Sequence, residues 1–252
     1  MGNLSLNNIV LGTMISEFSE PNLIRIFSKG GYNFVIIDGE HGPFSSDQLS
    51  TMISLGKCIN FPIIVRAPGL DRGFLTRTLD MGASGFLMPM VNTAEQAAKI
   101  VQYVKYKPIG SRGLSLTRSH TDYCPPDLKS YMKEANNKTL LLAQIETMEA
   151  VKNAEQIASV PGIDALVIGP SDLSSDLGDP GNLSNPKLLS CVKQVANIAR
   201  KHNIVSGTVS GNMEYLHKCH DEGMNFFCVG SELSMLIKSA KNNVKTFYNE
   251  FS

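Results

Sequence analysis

Two acidic residues follow neighbouring apolar segments in the middle of this chain. Leu140–Ala143 is a short, wholly apolar run, and Gln144 and Glu146 come directly after it. A helical pattern intervenes, and a second apolar run, Ala165–Ile168, stops at Gly169-Pro170-Ser171-Asp172. Short apolar runs of this kind are typical of strands that are buried on both faces of a parallel sheet. The pattern therefore predicts a β-α-β unit in which each strand ends at a carboxylate.

The geometry of a parallel sheet would bring these two carboxylates together. Adjacent strands lie about 4.8 Å apart, and the crossover connection puts both carboxyl ends at the same edge. Two carboxylates in a half-buried site repel each other unless a proton or a cation lies between them. Magnesium commonly takes one or two carboxylate ligands and keeps water or substrate oxygens in its other positions. Glu146 and Asp172 are therefore candidate metal ligands, the alternative being two solvated residues at helix N-termini.

Composition argues against several classes of protein. The 252 residues include 23 Lys and Arg against 23 Asp and Glu, so net charge gives no reason to expect a nucleic-acid or membrane partner. We find no signal-peptide pattern and no apolar run that approaches 18 residues. Five cysteines without a C-x-x-C spacing indicate reduced thiols, and we expect a cytoplasmic protein. The cluster His217–His220 has no distant partner pair and is interpreted as a solvated helix face.

Eight apolar, strand-like runs alternate with helical patterns along the chain. The runs are residues 9–15, 34–37, 62–65, 85–91, 140–145, 164–168, 204–209 and 226–229. This alternation, without a linker and at a length of about 250 residues, is typical of a (β/α)₈ TIM barrel. An open doubly wound sheet is the alternative, but it usually carries a G-x-G-x-x-G turn, which is absent here. We predict one (β/α)₈ barrel domain over residues 1–252.

In such a barrel the active site lies at the carboxyl ends of the strands. The second strand ends at Asp38-Gly39-Glu40-His41, where a neutral imidazole could act as a general base at neutral pH, or could be structural. The third strand ends at Arg66, whose guanidinium needs an anion if it is buried. A developing enolate oxygen would serve, and so would a salt bridge to Asp38 or Glu40. No predicted strand or strand end carries a lysine, which argues against Schiff-base chemistry.

A long insertion, residues 105–139, interrupts the regular alternation. Long loops in compact domains are often functional, and a short helix is expected near residues 127–134. Arg112 and Arg118 could reach an anionic substrate, and Arg112 could equally be a structural salt-bridge partner. Asp80, near the end of the third helix, is interpreted from the sequence as a helix-end charge.

Seven motifs, in the same order along nearly the whole chain, resemble the HpcH/HpaI aldolase family. That family comprises metal-dependent, class II pyruvate aldolases of the phosphoenolpyruvate/pyruvate barrel superfamily. The motifs are Ile37–Pro43, Val65–Pro68, Leu79–Gly82, Met88–Val91, Arg112-Gly113, Gln144–Thr147 and Ile168–Ser174. The resemblance implies reversible cleavage of a 4-hydroxy-2-oxo acid, of the 2-keto-3-deoxy type, into pyruvate and an aldehyde.

The resemblance also implies roles for individual residues. Glu146 and Asp172 would hold Mg²⁺, Mn²⁺ or Co²⁺, Arg66 would stabilise the enolate, and His41 would act as base through a water. The residues expected to contact substrate are Gln144, Gly169, Pro170, Ser171 and Asp172. Family members assemble as homohexamers of swapped dimers, in which we expect the C-terminal helix to be exchanged. Asp80 of a neighbouring subunit would then raise the basicity of His41.

One segment departs from the family pattern. After Arg112-Gly113 the family usually continues with a small, glycine-containing run, whereas this chain has Leu114-Ser115-Leu116-Thr117-Arg118. We expect Val209 and residues 114–120 to set the size of the aldehyde. The alternatives within the superfamily are a decarboxylase or a lyase acting on a CoA thioester or a larger dicarboxylic substrate. A non-catalytic barrel is the alternative from a different class.

Overall fold

Eight parallel strands close into a barrel in the computed structural model, which describes residues 8–124 and 126–251. Each strand pairs with the next one along the chain, and β1 closes the barrel against β8. The strands are β1 (Val10–Ile15), β2 (Phe34–Asp38), β3 (Ile63–Arg66), β4 (Gly85–Met88), β5 (Leu140–Ile145), β6 (Ala165–Ile168), β7 (Val205–Val209) and β8 (Phe226–Ser231). The (β/α)₈ prediction is confirmed, and all eight predicted strands are present.

α-Helices occupy the connections between the strands, and a last one follows β8. They are α1 (Asn22–Lys29), α2 (Ser46–Cys58), α3 (Arg72–Met81), α4 (Ala94–Val104), α5 (Leu128–Lys138), α6 (Met148–Lys152), α7 (Ala154–Ala158), α8 (Pro170–Asp176), α9 (Pro186–Lys201), α10 (Met213–Asp221) and α11 (Glu232–Phe251). The described part of the chain contains no helix that is both long enough and apolar enough to cross a membrane.

Most strand boundaries agree with the sequence prediction to within two residues, and two elements differ by more. The expected strand over residues 85–91 ends at Met88, because Pro89 has no amide hydrogen for the sheet and Met90 takes a φ of 53°. The single helix expected after β5 is divided at Asn153, whose ψ of 4° is not helical. Its side-chain amide instead donates to the carbonyl of Asn92 at 2.8 Å.

The interior of the barrel is filled by inward-facing side chains from the strands. These are Val10, Met14, Phe34, Ile36, Ile64, Leu87, Leu142, Ala165, Val167, Phe226 and Cys228. Phe34 and Phe226 stack with ring centroids 4.6 Å apart. A Cβ atom at Gly12 would lie 2.3 Å from the Phe34 ring, so glycine is needed there to admit the aromatic pair. The core is a packed interior and leaves the open face at the carboxyl ends.

The insertion between α4 and β5 is held by a buried lysine. The Lys105 ammonium donates to the carbonyls of Asn136 (2.8 Å) and Thr139, and lies 3.7 Å from the Asp164 carboxylate. Burial lowers the pKa of Lys105 and raises that of Asp164, and each charge offsets part of the other's shift. Because Asp164 precedes the first residue of β6, this ion pair lies at the amino end of the barrel.

We expect Lys105→Met to lower the free energy of unfolding by about 3 kcal/mol, because it leaves two buried carbonyls, of Asn136 and Thr139, without their donor and the half-buried Asp164 carboxylate without its cation. Lys107→Met, at an exposed position in the same loop, should change the free energy by no more than about 0.5 kcal/mol. Urea denaturation of both variants measures the difference. Equal stability of the two variants would show that the contacts of Lys105 do not hold the insertion.

Candidate active site

The carboxyl ends of β5 and β6 place a buried carboxylate at the mouth of the barrel. Ile145 and Ile168 are register partners, so Glu146 and Gly169 follow at the same level. Glu146 is only 3% exposed. One carboxylate oxygen accepts a hydrogen bond from the Met90 backbone N–H (2.7 Å), and the other accepts from the Gln144 side-chain amide (2.6 Å). Both of these donors are neutral, so neither of them balances the charge of Glu146.

The surroundings of Glu146 favour its protonated form. Its pKa is raised to about 7, mainly by burial; the charges of Asp172 and Glu40 also raise it, while the hydrogen bond from Met90 and the charge of Arg66 lower it. Asp172 lies in the first turn of α8, where it is exposed. The charge of Asp172 raises the pKa of Glu146, so the acids that follow β5 and β6 lie on the same side of the barrel mouth. This placement is consistent with the convergence predicted from the sequence, and the role of the two acids as metal ligands stays a prediction.

The space beside Glu146 is kept open by glycine. A Cβ atom at Gly169 would lie 2.6 Å from a Glu146 carboxylate oxygen and 2.7 Å from the Gln144 amide nitrogen. The amide oxygen of Gln144 is buried and has no hydrogen-bond partner. A buried acceptor without a donor is unusual in a folded protein. Pro170 begins α8 and is buried, while Ser171 is exposed beside Asp172. The site thus offers acceptor oxygens that a cation or a substrate donor would satisfy.

Arg66 is paired with acids of the neighbouring strand. Asp38 and Arg66 are register partners in β2 and β3, and the guanidinium donates to both Asp38 oxygens, at 2.9 and 2.6 Å. A third guanidinium nitrogen lies 3.3 Å from Glu40. Burial alone would lower the pKa of Arg66, but Asp38, Glu40 and Glu146 together raise it. The salt bridge that the sequence analysis gave as one of two alternatives for Arg66 is present. The charge of Glu146 also raises the pKa of Arg66, so the guanidinium lies near the buried carboxylate.

Asp38 organises this side of the mouth beyond the salt bridge to Arg66 that the sequence analysis offered as an alternative. Its carboxylate accepts backbone hydrogen bonds from Glu40 and His41, both at 3.1 Å, in addition to the two from Arg66. Burial opposes ionisation of Asp38, but these bonds and the charge of Arg66 give a net lowering of its pKa. The sequence did contain a signal for this pair, since Asp38 and Arg66 end two consecutive strands.

His41 projects from the segment that follows β2. Its side chain is 73% exposed, and its imidazole lies 4.0 Å from the Glu40 carboxylate. The backbone N–H of His41 is fixed by Asp38. His41 therefore lies at the open face, on the same segment as Asp38 and Glu40, which bind Arg66.

Asp80 and Arg112 lie together at the insertion. The Arg112 guanidinium donates to Asp80 at 2.7 Å and stacks 4.7 Å from the centre of the Tyr106 ring. His120 lies 3.6 Å from the same Asp80 oxygen. Arg112 thus has the structural partner that was one of its two predicted roles. Among the contacts of the described residues, none joins Asp80 to His41 of the same chain.

The acidic pair could hold a divalent cation with help from other ligands. In residues 8–124 and 126–251, no group of three or more His, Cys, Asp or Glu side chains is arranged to hold a metal ion. Two carboxylates are enough for a cation that keeps water or substrate oxygens in its remaining positions. The raised pKa of Glu146, the unpartnered Gln144 oxygen and the clearance at Gly169 all fit such an ion.

Comparisons with known proteins agree on one family. The model of the family described as HpcH/HpaI aldolase/citrate lyase matches residues 13–239. A 2-dehydro-3,6-dideoxy-6-sulfogluconate aldolase from Pseudomonas putida is 33% identical over 91% of this chain and 89% of its own. A 2-keto-3-deoxy-L-rhamnonate aldolase from Klebsiella pneumoniae subsp. pneumoniae is 31% identical over 95% and 89%. The crystal structure of an HpcH/HpaI aldolase from Desulfitobacterium hafniense superposes with a TM-score of 0.91, at 31% identity, over 95% and 93%.

The raised pKa of Glu146 predicts how the stability of the metal-free protein depends on pH. The folded state holds this proton up to about pH 7, whereas the unfolded chain releases it near the ordinary value of 4.5. The contribution of Glu146 to the free energy of unfolding therefore falls as pH rises between these values, by up to about 1.4 kcal/mol per pH unit, and then levels off. Glu146→Gln should abolish this fall and be the more stable protein at pH 8.

The measurement is urea denaturation of the metal-free wild type and variants at pH 5, 6, 7 and 8. Glu149→Gln, an exposed residue three positions further along, is the matched control and should retain the pH dependence of the wild type. If Glu146→Gln has the same pH profile as the wild type, the buried carboxylate is not the group that titrates near pH 7.

Proposed function

This chain belongs to the HpcH/HpaI aldolase/citrate lyase family, and from that premise we propose that it reversibly cleaves a 4-hydroxy-2-oxo acid into pyruvate and an aldehyde. The resemblance drawn from its motifs is confirmed by the family model. Relatives that share about nine-tenths of its length are named as aldolases of 2-keto-3-deoxy acids. The observation that carries the proposal is the buried carboxylate of Glu146, whose charge no contacting cation balances, beside Asp172 and Arg66.

The bond changes of the reaction define what the site must do. The C3–C4 bond of the substrate breaks, and its electron pair forms an enolate whose charge develops on the C2 oxygen. The C4 hydroxyl loses its proton as C4 becomes the aldehyde, and addition of a proton at C3 then completes pyruvate. Electrostatic stabilisation at the C2 oxygen and a base near the C4 hydroxyl are therefore required.

We propose that Glu146 and Asp172 hold a divalent cation, either Mg²⁺, Mn²⁺ or Co²⁺. The excess of acidic groups at the mouth supports this assignment, as does the preference of such ions for carboxylate and carbonyl oxygens. When bound, such a cation supplies Lewis-acid stabilisation of the oxo acid. Gln144 offers its unpartnered oxygen within the same pocket, and Gly169, Pro170 and Ser171 would form the wall that accepts the pyruvate half.

Arg66 and His41 would supply the other two functions. The guanidinium of Arg66 is fixed by two hydrogen bonds to Asp38, so it needs little reorganisation to donate to the developing enolate oxygen. His41 is exposed at the open face, where its imidazole would accept the C4 hydroxyl proton directly or through a water. Val209 and residues 114–120 remain the predicted determinants of aldehyde size.

We further propose an oligomer in which α11 is exchanged between subunits and Asp80 reaches His41 of a neighbour. Most of α11 is exposed even though it carries large apolar side chains, which are Leu236, Ile237, Val244, Phe247, Tyr248 and Phe251. Leu11 on β1 and Ile26 on α1 are also exposed. Apolar surface on both the helix and the barrel wall supports mutual burial in an assembly, which we propose is a hexamer. The five free cysteines support a cytoplasmic location.

Deuterium exchange of pyruvate tests the function directly. We expect metal-stripped protein to exchange the methyl protons of pyruvate in deuterated buffer only after Mg²⁺, Mn²⁺ or Co²⁺ is added, as followed by proton NMR. Arg66→Lys should lower the exchange rate by roughly 10²-fold, because it removes a fixed donor to the enolate oxygen. Glu149→Gln should exchange at the wild-type rate. Wild-type protein that shows no exchange with any of the three ions would contradict the proposed function.

The shared site is tested by complementation between subunits. Asp80→Ala and His41→Ala should each lose most activity alone, while their co-expression should restore activity, because a mixed dimer contains one intact His41–Asp80 pair. Two control preparations, each co-expressing tagged and untagged copies of the same variant, should stay inactive. Mixed assemblies that are as inactive as the parent variants would show that Asp80 does not act across a subunit boundary.

A further inference from the structure

A second buried carboxylate lies at the same end of the barrel as Glu146 and has no role in the reaction described above. Glu232, the first residue of α11, is 5% exposed. Its carboxylate accepts backbone hydrogen bonds from Ser16 (2.9 Å), Glu17 (2.6 Å) and Phe18 (3.0 Å), and a fourth from the Ser16 hydroxyl (3.2 Å). Three successive amides that point at one carboxylate form an anion-binding nest, and such charge-assisted bonds are strong. Glu232 therefore fixes the conformation of residues 16–18.

The segment held by Glu232 contacts the start of α2. Residues 16–21 follow β1 and so lie at the carboxyl ends of the strands, on the face that contains Glu146. The hydroxyl of Ser19 accepts a hydrogen bond from the side-chain amide of Gln48 at 2.9 Å. Gln48 thus connects this segment to the first turn of α2, which follows the segment that carries His41.

Gln48 also fixes the end of that segment. Its side-chain oxygen accepts the Ser45 backbone N–H at 2.8 Å, and the Ser45 hydroxyl accepts the Gln48 backbone N–H at 3.3 Å. This reciprocal pair is a capping box. At the other end of the segment, Asp38 accepts the amides of Glu40 and His41. Residues 39–45 are therefore held at both ends, and the second end is tied to Glu232 through Ser19 and Gln48.

We propose that Glu232 is a positioning residue for His41, acting through residues 16–19 and Gln48. The inference deepens the proposed function, since it takes His41 as the group that accepts the C4 hydroxyl proton. The imidazole of His41 is 73% exposed and lies no closer than 4.0 Å to Glu40, so its placement depends on the backbone that carries it. Since Glu232 begins α11, the same contact links the start of the proposed exchanged helix to the geometry of the site.

The test compares Glu232→Gln, Gln48→Ala and the double variant, with Glu214→Gln as control. Glutamine keeps the shape of Glu232 but turns an N–H donor toward backbone donors, so the nest loses at least one bond. Gln48→Ala removes the bond to Ser19, together with the side-chain half of the capping box at Ser45, without touching the nest. Glu214 is an exposed residue of α10 whose side chain contacts Lys218 alone among the described partners, and its variant carries the same change of charge.

The kinetic probe is cleavage of 4-hydroxy-2-oxopentanoate, with the released pyruvate reduced by lactate dehydrogenase. We expect kcat to fall by roughly 10- to 100-fold in Glu232→Gln and in Gln48→Ala, because small displacements of a reacting group have effects of this size. KM should stay within about 3-fold of the wild type, since the residues that would hold the oxo acid are unchanged. The double variant should lose less than the product of the two single losses, as expected for residues of one network.

Hydrogen–deuterium exchange provides a readout that does not depend on turnover. In Glu232→Gln, amides in residues 16–19 and 40–48 should exchange faster than in the wild type, while those of α10 should not change. Glu214→Gln should match the wild type in both assays. If Glu232→Gln fails to fold, Gln48→Ala, at the rim, carries the test through kcat and the exchange of residues 40–48.

The outcomes separate this inference from the proposed function. A wild type that neither cleaves this probe nor exchanges the methyl protons of pyruvate would contradict the proposed function, and hydrogen exchange would still decide whether Glu232 and the His41 segment are linked. If the wild type is active and either Glu232→Gln or Gln48→Ala has the same kcat as the wild type, the positioning role is wrong. Losses that multiply in the double variant would also contradict it, since independent residues act in that way.

Discussion

The structure depends on a carboxylate that is removed from water without a contacting counter-charge. An ionised carboxyl group is costly to bury, and in a protein it responds by taking a proton or by binding a cation. Glu146 receives hydrogen bonds from two neutral donors, and its pKa is raised accordingly. The parallel register of β5 and β6 fixes its position, and Gly169 keeps the space beside it clear. The barrel therefore holds Glu146 in a state that a bound cation would relieve.

The mouth of the barrel carries more negative than positive charge. Among the described residues, the carboxylates whose charges act on Glu146 or on Arg66 are those of Asp38, Glu40 and Asp172, and Arg66 is the cation that acts on Glu146. Arg66 donates two hydrogen bonds to Asp38, which orient its guanidinium. The single positive charge of Arg66 balances only part of the acidic charge. This division gives a fixed donor on one side of the pocket and an acidic pair on the other. An oxo acid that develops an enolate needs both of these features.

Much of the fold could be predicted from sequence because its signals are local. Apolar runs predict the strands. A glycine can mark the end of a helix, as Gly82 does in the left-handed backbone conformation at the end of α3. The convergence of Glu146 and Asp172 was also accessible, since adjacent parallel strands end at one edge. The family resemblance added the expected roles of residues whose chemistry the pattern alone left open. The early end of β4 was missed because an apolar run continues through Pro89, although proline cannot donate to the sheet.

The rest of the site depends on contacts between residues far apart in sequence. Glu232 meets Ser16 across 216 positions, and nothing in either local pattern predicts that pair. The choice between catalytic and structural roles for Arg66 needed the side-chain geometry, which shows the pairing with Asp38 and also the proximity to Glu146. The contact of Asp80 could not be predicted from the sequence for the same reason. Its partner Arg112 lies 32 residues away, in an insertion without a periodic pattern.

Anomalous diffraction from a crystal soaked with Mn²⁺ and pyruvate tests the central claim most directly. The account predicts one manganese peak between Glu146 and Asp172, with an oxygen of each carboxylate within about 2.2 Å and the oxo acid beside Gln144 and Arg66. Glu146 and Asp172 turned away from each other, with manganese bound elsewhere or not at all, would contradict it.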